Sequence, residues 1–339
     1  MKQKSVLISG CTGQDGSYLA EQLLEKGYKV YGLIRRASTT NTSRIDHIRD
    51  KIILIPGDMG DQKSLCLAVQ QSMPDEAYNL SAQSFVAISW SQPEYTMEVN
   101  TLGCLRLLEA IRQIKPNTKY YQASSSEMYG KVIETPQNEQ TPFNPRSPYG
   151  ISKLAAYWIT RNFRESYGMF TCNGILFNHT SERRGAEFVT RKISQGVASI
   201  ITGKQRYISL GNLDARRDFG YAPNYTEAMY LMLQQDHPDD YVIGSGETHT
   251  IREVVEIAFG VVGIKNWEDY IQIDQNLIRP AEVDLLLADA SKAKEKLGWK
   301  PKTSFTEMIK KMVEYDIKYF KGSTSITHDP KGSELATLH

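Results

Sequence analysis

Three glycines in the stretch GCTGQDG, Gly10, Gly13 and Gly16, constrain this chain more than any other feature. Ahead of them SVLIS, Ser5 to Ser9, is a short apolar run rich in β-branched residues, the signature of a buried strand. Behind them Leu19, Leu23 and Leu24 fall on one helical face, and Gly27 ends the pattern. KVYGLI then reads as a second strand. Strand, glycine turn, helix and strand in this order is the opening unit of a parallel sheet with crossover helices. The glycines permit a tight turn and a close backbone approach, and the first amides of the helix face an anion such as a pyrophosphate.

The alternation continues. KIILI, EAYNL, KYYQA and FTCNGILF read as strands three to six, with helices predicted after Asp61, from Pro93 to Lys115 and after Tyr149. Leu154, Trp158 and Ile159 are the expected buried positions of the last of these. The expected architecture is α/β: a Rossmann-like doubly wound parallel sheet over residues 1–175, joined by a returning strand near 241–245. Residues 176–320 form a smaller, mainly helical C-terminal lobe partly interleaved with the first, with helices over FVTRKISQGVASIITG, YTEAMYLMLQQ, IREVVEIAF and Ser304 to Tyr319. From Lys321 to His339 the composition loses any packing pattern and reads as a flexible tail.

Composition narrows the function classes. Among 339 residues, 40 Lys and Arg against 39 Asp and Glu leave a net charge of +1, which argues against nucleic acid or an anionic membrane as partner. The cysteines, Cys11, Cys66, Cys104 and Cys172, show neither zinc spacing nor a disulfide framework, so no metal is expected. No apolar stretch approaches the ~20 residues of a membrane helix, and a cytoplasmic location is the default expectation.

The chemistry gathers in QASSSEMYG and SPYGISK. Ser125, Ser126 and Glu127 come just past the predicted end of strand five, while Tyr149 and Lys153 lie one helical turn apart. A lysine beside a tyrosine favours phenolate, which suits a general base for an alcohol. Alcohol oxidation needs Tyr149, Lys153 and a hydroxyl such as Ser125; Glu127 points to a second proton transfer. Oxidation of a sugar at C4 would acidify the C5 hydrogen, Glu127 would remove it, and the 6-hydroxyl would leave as water before hydride returns to C6. Arg35 and Arg36, at the end of strand two, suit the 2′-phosphate of NADP better than free ribose hydroxyls, with a solvated surface pair as the alternative. Asp58 is placed either to accept from the adenine amino group or to serve as an ordinary loop aspartate.

Longer blocks carry a resemblance. GCTGQDGSYLAEQLLEKGY, IRRASTTNTSRI, YQASSSEMYG, SPYGISK, GILFNHTSERRGAEFVTRKI, GNLDARRDFG, RPAEVD and KLGWKP together resemble the GDP-mannose 4,6-dehydratase family, in the extended short-chain dehydrogenase/reductase superfamily. The resemblance implies NADP as a tightly held cofactor, GDP-α-D-mannose as substrate, and a catalytic set of Ser125, Glu127, Tyr149 and Lys153. It places cofactor contacts at Gly10, Thr12, Gly13, Gln14, Asp15, Gly16, Arg35, Asp58, Leu80, Ser81, Tyr149 and Lys153. Substrate contacts fall on Ser126, Asn178, Phe188, Val189, Lys192, Gly211, Arg217, Arg279 and Glu282. Lys192, Arg217 and Arg279 also suit a pyrophosphate on chemical grounds. Arg36, Asn41, Thr42, Ser43 and Arg44 match a loop that reaches a neighbouring subunit's NADP, implying a homotetramer or homodimer.

The chain departs from the family pattern at Ser125, usually threonine, at Phe219, usually tryptophan, and at Asn224, usually aspartate. The alternatives to a GDP-mannose dehydratase are the same elimination on a GDP-manno-heptose, a nucleotide-sugar 4-epimerase, a 4-ketoreductase and a non-catalytic NADP-binding regulator. Of these the epimerase and the regulator have no use for Glu127.

Overall fold

The computed structural model describes residues 3–39, 41–277 and 285–322. Strand β1 (Ser5–Ser9) leads through the glycine turn into α1 (Gln14–Glu25), then β2 (Lys29–Ile34), β3 (Ile52–Pro56), α2 (Gln62–Ser72) and β4 (Glu76–Asn79). The stretch from Pro93 is helical throughout to Ile114, as expected, with a π turn inside it. After a short α3 (Ile88–Ser91), α4 (Pro93–Met97) passes through a π turn at Glu98–Leu102 into α5 (Gly103–Ile114). At Gly103 an added Cβ would lie 2.7 Å from the Met59 side chain, so the helix passes this point without a side chain.

β5 (Lys119–Ser125) runs two residues further than the apolar run suggested, so Ser125 ends the strand rather than following it. Then come α6 (Pro148–Tyr167), β6 (Thr171–Leu176) and β7 (Asn178–Thr180), followed by α7 (Val189–Ile201), β8 (Ile208–Leu210), β9 (Arg216–Tyr221) and α8 (Ala222–Leu233). The chain closes with β10 (Asp240–Ile243), β11 (Thr248–Thr250), α9 (Ile251–Val261), β12 (Ile271–Ile273), β13 (Leu285–Leu286), α10 (Ser291–Leu297) and α11 (Phe305–Gly322). Lys321 and Gly322, the start of the expected tail, belong to α11, and the rest of that tail lies outside the described residues.

Seven parallel strands form the main sheet in the order β10-β6-β5-β4-β1-β2-β3, with β10 joining beside β6. The order reverses between β1 and β4, and a doubly wound sheet opens its binding crevice at the carboxyl ends of strands at that point. One face is packed by Leu19 and Leu23 of α1 with Met229 and Met232 of α8. The other is packed by Leu65 and Val69 of α2, Leu107 and Ile111 of α5, and Phe163 of α6. Each such fully buried aliphatic or aromatic side chain contributes about 1.5–3 kcal/mol. Trp158 corrects the expected packing of α6: it is 51% exposed, because Tyr157, Ala156 and Phe163 take the inward positions.

The second lobe packs α7, α9 and α11 around Val197, Val254, Phe259, Met308 and Met312. It also contains two small sheets, β11-β9-β13 with β7 on β9, and β12-β8, of which only β8 answers to a strand legible in the sequence, in the run RYISLG. The other strands, of two to six residues, carry no usable alternation. The β7–β9 pairing, with Asn178 opposite Phe219 and His179 opposite Gly220, joins this lobe to the end of the main sheet.

Candidate active site

Gly10 has φ of 72°, and a Cβ there would lie 2.9 Å from the backbone of Leu80 and Ser81. At Gly16 a Cβ would lie 2.2 Å from the Gly10 carbonyl oxygen. Only glycine therefore lets α1 begin this close to the strand ends. No side chain caps that helix at Gly13, so its first amides remain available to an anion. The turn opens into a cleft of about 430 Å³ lined by Gly10, Thr12, Gly13, Gln14, Asp15 and Gly16, with Arg35, Asn41, Arg44, Asp58, Leu80 and Ser81 around it. A glycine cradle, free helix amides and a guanidinium fit a dinucleotide diphosphate.

Arg35 is steadied at the mouth by donating to the Tyr95 hydroxyl at 2.7 Å. Arg36, Thr42 and Ser43 do not line the cleft. Asp58 does, and one of its carboxylate oxygens accepts from the Gly60 amide at 2.8 Å. Arg44 contacts its own chain, donating to the carbonyls of Arg183 at 2.7 Å and Thr12 at 3.4 Å.

A second cavity of about 150 Å³ continues from the first, sharing Asp15, Leu80, Ala82, Ser84, Arg184 and Phe188 with it. Ser125, Ser126, Glu127, Tyr149, Lys153 and Asn178 line it together. The end of β5 delivers the first three. The Ser125 hydroxyl accepts from the Glu127 amide at 3.2 Å, so the rotamer that threonine's methyl would stiffen is held by a polar contact instead. Glu127 is 8% exposed. Helix α6 delivers Tyr149 and Lys153, and its start is fixed by Ser147, whose hydroxyl accepts from the Gly150 amide at 3.0 Å.

Electrostatics correct one expectation. Burial pushes the Tyr149 phenol up to about 12; Ser125 and the Arg184 charge pull it down, while Glu127 and Asp15 add to the rise. Lys153 lies 5.8 Å from the Tyr149 ring and donates to the Ala123 carbonyl at 2.8 Å. Its own ammonium is pulled down to about 8 by burial. Burial thus works against the charged phenolate, and Lys153 is not among the groups that lower the Tyr149 phenol.

Of the remaining expected contacts, Phe188 lines both cavities, whereas Val189, Lys192, Gly211 and Arg217 line neither. Lys192 is drawn to Asp274, and Gly211 approaches the Leu277 backbone, so these two face the edge of the second lobe. Arg217 is buried on β9, where it donates to the Arg216 carbonyl at 2.7 Å. Arg279 and Glu282 lie outside the described residues. The departures at Phe219 and Asn224 touch neither cavity: Phe219 stacks on Phe305, and the Asn224 carbonyl accepts from the Trp299 indole.

Tyr95, His179 and Arg184 are among the cavity residues that went unanticipated. Arg184 stacks over Phe188 at 3.7 Å and feels both Asp15 and Tyr149. Burial works against an ionised Asp15, yet the His179 charge and hydrogen bonds from His179 and Gln14 hold its carboxyl at about 2. The adjacent basic pair Arg183 and Arg184 was the one available signal; His179 and Tyr95 gave none. Among the described residues no cluster could hold a metal, and no helix is long and apolar enough to cross a membrane.

Comparison with known proteins places this geometry. The profile of the family described as GDP-mannose 4,6 dehydratase matches residues 7–312. GDP-mannose 4,6 dehydratase 1 of Arabidopsis thaliana is 52% identical, covering 94% of this chain and 91% of the relative. The Homo sapiens GDP-mannose 4,6 dehydratase is 50% identical, covering 93% and 92%. Among solved structures, a UDP-glucose 4-epimerase of Thermotoga maritima with UDP-glucose superposes with a TM-score of 0.82 at 25% identity, covering 93% of this chain and 99% of that one. Since the profile spans nearly the whole described chain and the relatives match it at about half of all aligned positions, the chain belongs to the GDP-mannose 4,6 dehydratase family.

Proposed function

We propose that the chain is an NADP-dependent GDP-mannose 4,6-dehydratase, a hydro-lyase converting GDP-α-D-mannose to GDP-4-keto-6-deoxy-D-mannose and water. The observation that carries this reading is the second cavity, where Glu127 shares one wall with Ser125, Tyr149 and Lys153 instead of turning to solvent. An epimerase or ketoreductase needs no such carboxyl group. The nicotinamide, when bound, accepts hydride from C4 and later supplies it to C6.

Tyr149 takes the 4-hydroxyl proton, with Ser125 holding the oxygen and relaying the proton. The resulting 4-ketone acidifies C5, Glu127 removes that hydrogen, and the same carboxyl group protonates the departing 6-hydroxyl; C5 is reprotonated when hydride reaches C6, which balances the proton taken from the 4-hydroxyl. Ser126 orients the sugar from the same loop. Lys153, held on the Ala123 carbonyl, keeps a cation behind Tyr149 that favours the phenolate able to take that proton. Arg35 at the mouth of the first cleft supports NADP over NAD, since it offers a 2′-phosphate a guanidinium fork. Lys192, Arg217 and Arg279 would take the sugar's pyrophosphate, with Val189, Gly211 and Glu282 completing the substrate contacts. The loop of Arg36, Asn41, Thr42, Ser43 and Arg44 would reach a neighbouring subunit in a cytoplasmic homotetramer or homodimer.

Glu127→Gln separates the two half-reactions. With GDP-mannose, reduction of bound NADP should persist while formation of the 6-deoxy-4-keto product, followed by mass and NMR, falls at least about 100-fold, the scale of a lost general acid–base. Full dehydration by the variant would remove Glu127 from the mechanism. Parallel incubation with a GDP-manno-heptose decides between the two sugars by which one loses water.

A further inference from the structure

We propose that His179 is a two-armed positioning residue, whose ring fixes the cofactor turn through Asp15 and the substrate side through the backbone flanking Asn178. Its Nε2 lies 2.8 Å from a carboxylate oxygen of Asp15, the second residue of α1. Its Nδ1 lies 2.8 Å from the carbonyl oxygen of Phe177, two residues back along the chain with Asn178 between them. The ring stacks on Tyr225 at 4.6 Å and 21°, which sets its plane. Pairing of β7 with β9 opposite Gly220 holds its backbone.

Both partners are acceptors. A neutral imidazole donates from one nitrogen only, so donation to both oxygens takes a proton on each nitrogen. A proton on Asp15 instead would leave the ring one bare nitrogen, which nitrogen NMR distinguishes. The other titratable groups around the pair are Arg184, which draws on Asp15 from the 183–188 segment, Tyr121 on β5, Tyr149 and Lys153 on α6, and Tyr225 on α8, itself facing Asp218 on β9.

The arrangement has two consequences. Asp15 would bring an uncompensated negative charge to the helix end where free amides wait for an anion; the imidazolium compensates it and leaves those amides their polarity. On the other side, Asn178 is held between the anchored Phe177 carbonyl and the anchored ring, with its Oδ1 buried and without a partner among the described residues. That acceptor is thereby kept at the wall of the second cavity for a donor on the sugar nucleotide. The sugar arm rests on the dehydratase reading; the cofactor arm does not.

Two variants separate the arms. His179→Asn keeps an amide nitrogen near the Nδ1 position and so the Phe177 arm; His179→Gln reaches the Nε2 position and keeps the Asp15 arm. Both lose the same stacking on Tyr225. Fluorescence titration with NADPH alone should show His179→Asn weakened about tenfold or more and His179→Gln little changed, the loss expected for a hydrogen bond to a charged group. With cofactor saturating, the KM for GDP-mannose should rise about tenfold in His179→Gln and little in His179→Asn. Nitrogen NMR of ¹⁵N-histidine-labelled protein at pH 7 should show both His179 ring nitrogens protonated in the wild type and one released in Asp15→Asn. Equal losses in both variants on both ligands would reduce His179 to a packing residue and overturn the proposal. So would a wild-type ring with one bare nitrogen, a reading that stands even if neither variant folds. Wild-type protein that binds NADPH but leaves GDP-mannose unchanged would overturn the dehydratase reading alone.

Discussion

Lys153 places an ammonium in a site that disfavours it: burial lowers its proton affinity from the ordinary 10.5 to about 8, and its one tether is the Ala123 carbonyl at 2.8 Å. Between those two values the unfolded chain binds more protons than the folded one, so the penalty is fully present below pH 8 and fades as pH rises toward 10.5. Lys153→Met should therefore stabilise the fold at pH 7 by on the order of 1–3 kcal/mol while abolishing turnover. Thermal melts at pH 7 and pH 10 check this, the gain shrinking at the higher value; a destabilised variant at pH 7 would show that the Ala123 tether outweighs desolvation. Tyr149 has the complementary problem. Burial raises it to about 12, so its phenol must lose its proton before it can serve as the base, and a neighbouring cation favours that loss.

Helix α6 is the element that turns a nucleotide fold into a catalytic one, because its first two turns carry Tyr149 and Lys153 against β5. Pro148 at the first helical position and Ser147 as its cap fix where it begins. Ser147→Ala should cost about 1 kcal/mol by losing the bond to the Gly150 amide. It should also lower kcat more than it raises KM, since the frayed turn holds the proton acceptor and not the nucleotide contacts. Denaturant melts and steady-state kinetics on the same preparation test both halves. The π turn at Glu98–Leu102 serves the neighbouring helix pair: Thr101 reaches the Ser152 carbonyl at 2.9 Å and Asn100 the Ser152 hydroxyl at 3.0 Å, bracing α6 from behind.

On the scale of the whole molecule, the second lobe is tied to its C-terminal helix by a buried ion pair. Arg191 on α7 and Asp316 on α11 meet at 2.5 Å, with the Ser194 hydroxyl donating to the same carboxylate oxygen at 2.7 Å. Asp316 is fully buried, and burial raises its proton affinity against the pull of Arg191. Asp316→Ala strands the guanidinium and should cost about 3–5 kcal/mol, with amide exchange accelerating across α7, α9 and α11 before the main sheet opens. A uniform loss of protection over both lobes would show that the two unfold together. Asp218 does related work between segments, its buried carboxylate accepting from Ser245, Gly246 and Ala288 and so holding β9 against the turn after β10.

The sequence by itself determined the parallel sheet, the glycine turn and the grouping of Ser125, Ser126, Glu127, Tyr149 and Lys153, because each is written locally: apolar runs of strand length, glycines where a Cβ would strike backbone, two residues one helical turn apart. Tertiary structure alone decided the small sheets of the second lobe, the outward turn of Trp158 and the entry of Tyr95, His179 and Arg184 into the cleft. It also decided that burial, rather than the nearby lysine, governs the Tyr149 proton. Desolvation and cross-chain hydrogen bonds depend on what lies within a few ångströms in space, and Asp15 with His179, 164 positions apart in the chain, shows how little of that a linear pattern records.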